Sequence, residues 1–280
     1  MQVMLCGTRG SLASPGPDTA RYGGNTSCVS VIGREGTVLI LDAGTGIRRL
    51  GALLPPHTRR VDILLTHLHM DHVLGLGFFA PLYQPGFEVH IWGPASATLS
   101  LQARLKRYLS PPLFPVSLGE LPCQLSFHAV PCGIAEIGEF EVRAEMICHP
   151  GPTVGYRIRA ASGRVMVYMP DHEPALGNPA FPNLPRDWTS GASLAIGADL
   201  LIHDSQYSAA QYPRHSGWGH SSLVQTLQYA RLCEARHLVT FHHDPGHSDQ
   251  ELDRLTAESI AAVNPDFAVT GGCEGAVFVL

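Results

Sequence analysis

The sequence predicts a mixed α/β (α+β) fold in which two βα layers pack sheet on sheet with helices outside. Three observations carry this reading. Both halves of the 280-residue chain run from strand-like apolar segments to helix-like ones. Glycine (29) and proline (22) are plentiful while charged residues make up only 15%, which points to many short elements joined by tight turns and excludes a helical bundle. Hydrophobic residues make up 45%, enough at this length for one substantial core.

The elements follow in order. Residues 2–6 read as a first strand. Residues 27–33 and 37–44 form a second and third, joined by a hairpin turn at Arg34-Glu35-Gly36. Residues 46–54 have helical spacing, 61–65 are a buried strand end, and 73–82 read as a short apolar helix. A strand at 87–93 precedes a helix at 96–109, with Ser96 as its candidate N-cap. Residues 123–130, 140–149, 154–160 and 164–169 read as four successive strands, followed by a proline-rich loop at 173–187. Strands at 198–204 and 237–243 flank a helix at 221–235. A last helix at 248–264 has Ser248 as N-cap and Glu251 three residues on, a capping box. Residues 267–272 and 276–280 close the chain as strands. No low-complexity segment, charge block or linker interrupts it, so residues 1–280 are expected to form a single domain.

A net charge of −5 argues against a broad basic surface for long nucleic acid. Seven scattered cysteines without a CxxC pair suit reduced thiols in a cytoplasmic protein. No secretory leader pattern and no apolar run of membrane-spanning length is present, so no membrane partner is expected.

The chemistry concentrates in residues 64–75, LLTHLHMDHVLG, directly after an apolar strand. Imidazole and carboxylate are good ligands for zinc and similar divalent ions. In an extended loop the alternate side chains of His67 and His69 can reach one ion, while Asp71 and His72 turn away and can serve a second. The bland alternative is a polar surface loop. Four ligands do not complete two ions, and further candidates sit at strand ends: His149, Asp171, His242 and His243.

The segment THLHMDH resembles the His-x-His-x-Asp-His signature of the metallo-β-lactamase superfamily. The later order of His149, Asp171 and a late histidine resembles its further ligand motifs, and TVLILDAGTGI resembles its glycine-rich turn. The likeness implies the metallo-β-lactamase fold, an αββα sandwich of two mixed β-sheets with helices on the outer faces and metals at the edge between the sheets. It implies that His67, His69 and His149 hold a first ion and that Asp71, His72 and a late histidine hold a second, with Asp171 bridging. His242 is preferred as the late ligand and His243 is the alternative. Two divalent ions are thus expected, zinc by default, with manganese or iron accepting the same set. His172 stands where the superfamily usually has a small Thr or Ser, and is read as a candidate substrate contact.

LLIHDSQYS and GWGHSSLVQTLQYA resemble motifs of the ribonuclease Z branch and its cyclic-nucleotide phosphodiesterase-like bacterial relatives. The resemblance implies that Asp204 orients His220, which acts on the leaving group. His220 near a helix start also fits a capping role. Phosphodiester hydrolysis needs a nucleophile, neutralised phosphoryl oxygens and a proton for an alkoxide. Two ions roughly 3.5–4 Å apart supply the first two through a bridging hydroxide, with Asp71 orienting the water. A histidine supplies the third.

The Gly-rich segments GTRGS and RYGGNTSC offer Arg9, Asn25 and Thr26 as phosphate contacts, or only a turn-rich loop. Tyr207, Tyr212, Arg214 and Trp218 are read as stacking a base, or as packing a loop. The arm with which ribonuclease Z enzymes grip tRNA has no counterpart here. The expected function is therefore a dinuclear metal-dependent phosphodiesterase acting on a small phosphodiester such as a cyclic nucleotide. The alternatives are a tRNA-processing endoribonuclease, a carboxylic ester or lactone hydrolase, and a metal-bearing nucleotide sensor without turnover. Apolar residues at 81–93 and 110–118 suit a homodimer.

Overall fold

Most strands are apolar on both faces because each of two seven-stranded sheets is covered on both sides. A computed structural model describes residues 1–131 and 133–280. Cys132 lies outside the described residues; the other six cysteines are free thiols.

The first sheet contains β1 (Gln2–Gly7), β2 (Cys28–Ile32), β3 (Val38–Leu41), β4 (Arg60–Leu64), β5 (Glu88–Pro94), β6 (Gln124–Val130) and β14 (Val277–Val279) in the order β14-β1-β2-β3-β4-β5-β6. The second contains β7 (Ile134–Ile137), β8 (Phe140–Met146), β9 (Val154–Ala160), β10 (Val165–Met169), β11 (Leu200–Asp204), β12 (His237–Phe241) and β13 (Ala268–Gly271) in the order β13-β12-β11-β10-β9-β8-β7. Both sheets are mixed. β3 through β6 run parallel, as do β10 through β13, and the remaining pairs are antiparallel.

Period-two alternation then builds three apolar layers. Leu39, Leu41 and Leu64 meet Tyr156, Met166, Tyr168, Leu200 and Ile202 between the sheets. Val38, Ile40, Val61 and Ile63 point outward under α1 (Ile47–Leu50) and α3 (Leu101–Leu105). Val165, Val167, Leu201 and Leu238 point outward under α4 (Ala192–Ala195), α5 (Leu223–Leu232) and α6 (Asp249–Val263). The αββα sandwich expected from the sequence is the architecture observed. Among the described residues no helix is long and apolar enough to cross a membrane.

Ser248 caps α6, its side chain accepting from Glu251 N, and Ser222 caps α5 in a reciprocal box with Gln225. Other expected elements shorten. The helix expected at 96–109 spans only Leu101–Leu105 and is capped by Ser100; Ser96 instead bonds Thr98 within its own turn, the local competition typical of serine. The helix expected at 73–82 divides into α2 (Met70–Val73) and two 3-10 turns. Residues 123–130 join the first sheet as its edge strand rather than continuing the second, and Ile134–Ile137 is a strand the sequence reading lacked.

Candidate metal centre and catalytic dyad

β3, β4, β10, β11 and β12 end at one edge of the sandwich, where an α/β sheet places chemistry. Asp42 follows β3, His67 and His69 follow β4, Asp171 follows β10, Asp204 ends β11 and His242 follows β12. Asp71 and His72 lie in the single turn of α2 rather than in loop, with His69 at its N-cap. Gly75 lets this turn lie directly on the backbone of Gly44, since a side chain there would strike the Gly44 carbonyl.

Two four-residue ligand-like groups result, beside a three-residue one of Asp204, His220 and His242. His67, His69, His149 and Asp171 form one, and Asp71, His72, Asp171 and His242 form the other, each with its ligand atoms within 4.8 Å of one another. In the first, His67 Nε2 and His149 Nε2 each lie 3.6 Å from Asp171 Oδ2. In the second, His72 Nε2 lies 3.0 Å from Asp171 Oδ1 and 3.3 Å from Asp71 Oδ2, and His242 Nε2 lies 3.3 and 3.1 Å from the same two oxygens. Ligands about 2.0–2.2 Å from a tetrahedral ion stand about 3.3–3.6 Å apart, so these spacings fit a small divalent ion to within a few tenths of an ångström. Asp171 offers one oxygen to each group.

The remaining ring nitrogens are held from behind. His72 Nδ1 donates to Asp42 Oδ2 at 2.8 Å, His149 Nδ1 to the Gly219 carbonyl at 2.9 Å and His242 Nδ1 to Gln206 Oε1 at 2.9 Å. Thr66 Oγ1 donates to Asp42, so its oxygen accepts from His67 Nδ1 at 3.1 Å. Each of these four rings thus presents Nε2 to the centre, the arrangement that orients metal-ligating histidines. His67 Nε2, His72 Nε2 and Asp171 Oδ1 are buried there without a hydrogen-bond partner. A neutral imidazole has one N–H, yet His72 and His242 face acceptors with both nitrogens. A cation between these atoms removes that conflict, and an all-His/Asp donor set suits zinc, manganese or iron.

Burial, with His72 and His149 nearby, holds His67 well below the ordinary histidine pKa, and burial lowers His69 and His149. Burial opposes a charged His72 as well, but Asp171, Asp71 and Asp42 outweigh it and raise its pKa well above the usual value. Asp71 and Asp171 stay ionised against burial because His72 and His242 face them. Asp42 and His242 both adopt left-handed backbone (φ 58° each), a conformation non-glycine residues hold only where the surroundings impose it.

His220 stands beside both groups, its ring stacked on His242 at 4.9 Å and edge-on to His149 at 4.9 Å. Its Nδ1 donates to Asp204 Oδ2 at 2.6 Å. Asp204 is fully buried and also accepts from the backbone N–H of His172, Gln206 and Ser221. Burial disfavours the imidazolium, but Asp204, with Asp171 and Asp71 behind it, raises the His220 pKa to about 9.

The structure corrects the expected phosphate contacts. Arg9 has no exposed surface, and its guanidinium donates to the carbonyls of Gly23, Asp244 and His247 near Asp249. Asn25 binds Glu274 through its N–H and its amide, and Thr26 exchanges hydrogen bonds with Thr45. His172 is buried against His203 and Tyr229. These four side chains are engaged with other parts of the chain, with Arg9 Nη2 and His172 Nε2 buried without a hydrogen-bond partner. His243 donates to Gly272 O and packs on Tyr22, outside the cluster. Asp42, Thr66 and Gln206 orient three of the cluster histidines; each lies within one of the motifs TVLILDAGTGI, THLHMDH and LLIHDSQYS, but the sequence alone assigns none of them a role of its own.

The model of a family described as "Beta-lactamase superfamily domain" matches residues 37–243. The chain is 25% identical to the ribonuclease Z of Pyrococcus furiosus, covering 99% of each. It superposes on the metallo-β-lactamase fold protein YhfI from Bacillus subtilis with a TM-score of 0.71 at 17% identity, covering 99% of this chain and 98% of that one. A diphosphatase from the PhnP family gives a TM-score of 0.70 at 17% identity, over 100% and 97%.

Proposed function

Because the chain belongs to the β-lactamase superfamily and is a metal-dependent hydrolase, we propose that it is a phosphodiesterase acting on a small phosphodiester such as a cyclic nucleotide. The observation that carries this is the Asp204–His220 pair set against the His/Asp cluster. Such a donor serves any alkoxide leaving group, and the similarity to ribonuclease Z over 99% of both chains supports a phosphodiester rather than a carboxylic ester or lactone.

His67, His69 and His149 would hold one divalent ion, Asp71, His72 and His242 a second, and Asp171 both, with zinc as the default. Ions bound there supply Lewis acidity, neutralising phosphoryl oxygens and acidifying water. The chain's own residues do the rest. Asp204 accepts a hydrogen bond from His220 Nδ1–H, which fixes the ring and favours the imidazolium, whose Nε2–H is the donor to the leaving oxygen. The raised pKa keeps that proton in place at neutral pH. Ser11 N–H donates to Asp71 Oδ2 at 2.8 Å and steadies a carboxylate at the mouth of the site.

A second reading, a tRNA-processing endoribonuclease, is favoured by the similarity to ribonuclease Z over 99% of both chains. Against it stand the net charge of −5 and the lack of a basic arm, since tRNA binding is largely electrostatic. Exposed Phe78, Tyr83 and Leu113 support a homodimer, which sedimentation tests.

Metal-loaded protein assayed on cyclic nucleotides, bis(p-nitrophenyl) phosphate, precursor tRNA, a lactone and nitrocefin separates the readings. The expected result is turnover of small phosphodiesters, with His220→Ala lowering kcat about 10²- to 10⁴-fold while metal content is retained. Ester turnover indifferent to His220→Ala would instead indicate the lactone or ester reading, and nucleotide binding without product the sensor. Cleavage of precursor tRNA in preference to the small substrates would establish the second reading.

A further inference from the structure

We propose that Glu173 is a positioning residue that sets both His149 and His220 in place through the segment 217–219; this rests on the roles just proposed for those two histidines. Glu173 has no exposed surface. A carboxylate can only accept hydrogen bonds, and Glu173 accepts from three donors of one segment. Tyr212 Oη donates to Oε1 at 2.6 Å, Gly217 N to both oxygens at 3.0 Å, and Gly219 N to Oε2 at 2.8 Å. The Glu173 N–H in turn donates to Cys148 O at 2.9 Å, one residue before His149.

Gly219 is the hub of this arrangement. Its N–H is held by Glu173, its carbonyl accepts from His149 Nδ1, and its next neighbour is His220. Gly217 and Gly219 both have positive φ (86° and 87°), so the backbone here sits where L side chains rarely go. A Cβ at Gly219 would stand 2.5 Å from His149 Nδ1. The segment contains no helical or strand hydrogen bonds of its own, and the buried carboxylate supplies what secondary structure supplies elsewhere. One side chain, two residues after Asp171, thereby ties His149 and His220 to the same anchor. A purely structural clamp would hold the loop without affecting either histidine, and the two roles separate experimentally.

Glu173→Gln keeps the volume but turns an amide N–H₂ toward backbone N–H donors. The zinc affinity of the metal-free protein, measured by chelator competition, is expected to fall about 10- to 100-fold, the usual effect of losing a partner behind a ligand. The kcat is expected to fall more on a nucleoside phosphodiester, with its alkoxide leaving group, than on bis(p-nitrophenyl) phosphate, with KM nearly unchanged. Tyr212→Phe, which removes one donor and spares the carboxylate, should shift both readouts the same way by a smaller factor, and serves if Glu173→Gln does not fold. Unaltered zinc affinity and an unaltered ratio of the two kcat values, with only a lower Tm, would overturn the proposal. The affinity measurement uses no substrate, so it tests Glu173 even if His220→Ala shows the phosphodiesterase reading to be wrong.

Discussion

The two ligand groups share Asp171 but are built for different charge. The first places three imidazoles around one carboxylate oxygen and includes the exposed His69; the second is wholly buried and places two imidazoles between two carboxylates. Burial and mutual repulsion keep His67, His69 and His149 neutral, whereas three carboxylates around His72 favour its charged form. Buried carboxylates without a compensating positive charge are costly. The second group therefore has to take in positive charge, as a proton or as a metal ion, while the first, with one carboxylate oxygen among three neutral imidazoles, calls for less of it. The same ligand types thus give one group ready for an ion and one in which the ion must displace a proton.

Asp171→Asn breaks both groups at once and should have the largest effect. It removes the charge each group uses, and loss of several kcal/mol of charge stabilisation corresponds to about a thousandfold in kcat. Elemental analysis should show metal lost from both positions; full occupancy would remove Asp171 from the centre. Asp42→Asn acts directly on His72 and only through Thr66 on His67, and the expected loss is about 10- to 100-fold in affinity at the second position and less at the first. Equal weakening of both metals would show that the groups are not separable in this way.

Proton release sharpens the comparison further. To ligate, His72 must lose the proton that Asp171, Asp71 and Asp42 favour, so metal uptake by the second group should tighten as pH rises toward the raised pKa of His72. The first group consists of histidines with lowered pKa values, already neutral at pH 7, and its affinity should change little above about pH 6.5. Calorimetric titration in buffers of different ionisation enthalpy should resolve one binding event releasing about one proton and another releasing almost none. Two events with equal release would contradict the charge difference.

The ligand set was legible in the sequence for a reason visible in the fold. Residues of both candidate groups follow a single strand in His67-x-His69-x-Asp71-His72, and His149, Asp171 and His242 each stand just past an apolar strand that runs to the same edge. Short apolar runs bounded by turn residues made the two sheets legible as well. What failed was whatever depended on distant acceptors. Arg9 in a glycine-rich loop has the pattern of an anion contact, but its acceptors include Asp244 and His247, more than two hundred residues away, and no local pattern announces them. His172 looked like a substrate contact by position, but the buried His203 faces it from the adjacent strand. The helix expected over 96–109 had the right spacing, yet Ser96 and Thr98 bond each other and Ser100 caps instead.

Asn25 gives the gentlest test of this distinction between a loop that binds and a loop that braces. Its Nδ2 donates to Glu274 Oε2 at 2.9 Å and its backbone N–H to Oε1. Asn25→Ala leaves the backbone bond and frees one carboxylate oxygen at a half-buried position, where water can replace the lost donor. The expected cost is about 1 kcal/mol of stability, read as a small drop in Tm, with KM for a small phosphodiester unchanged within twofold. A bracing residue touches no substrate, so KM has no reason to move. A tenfold rise in KM at unchanged Tm would return residues 21–28 to the binding surface and would mean that the loop rearranges when substrate arrives.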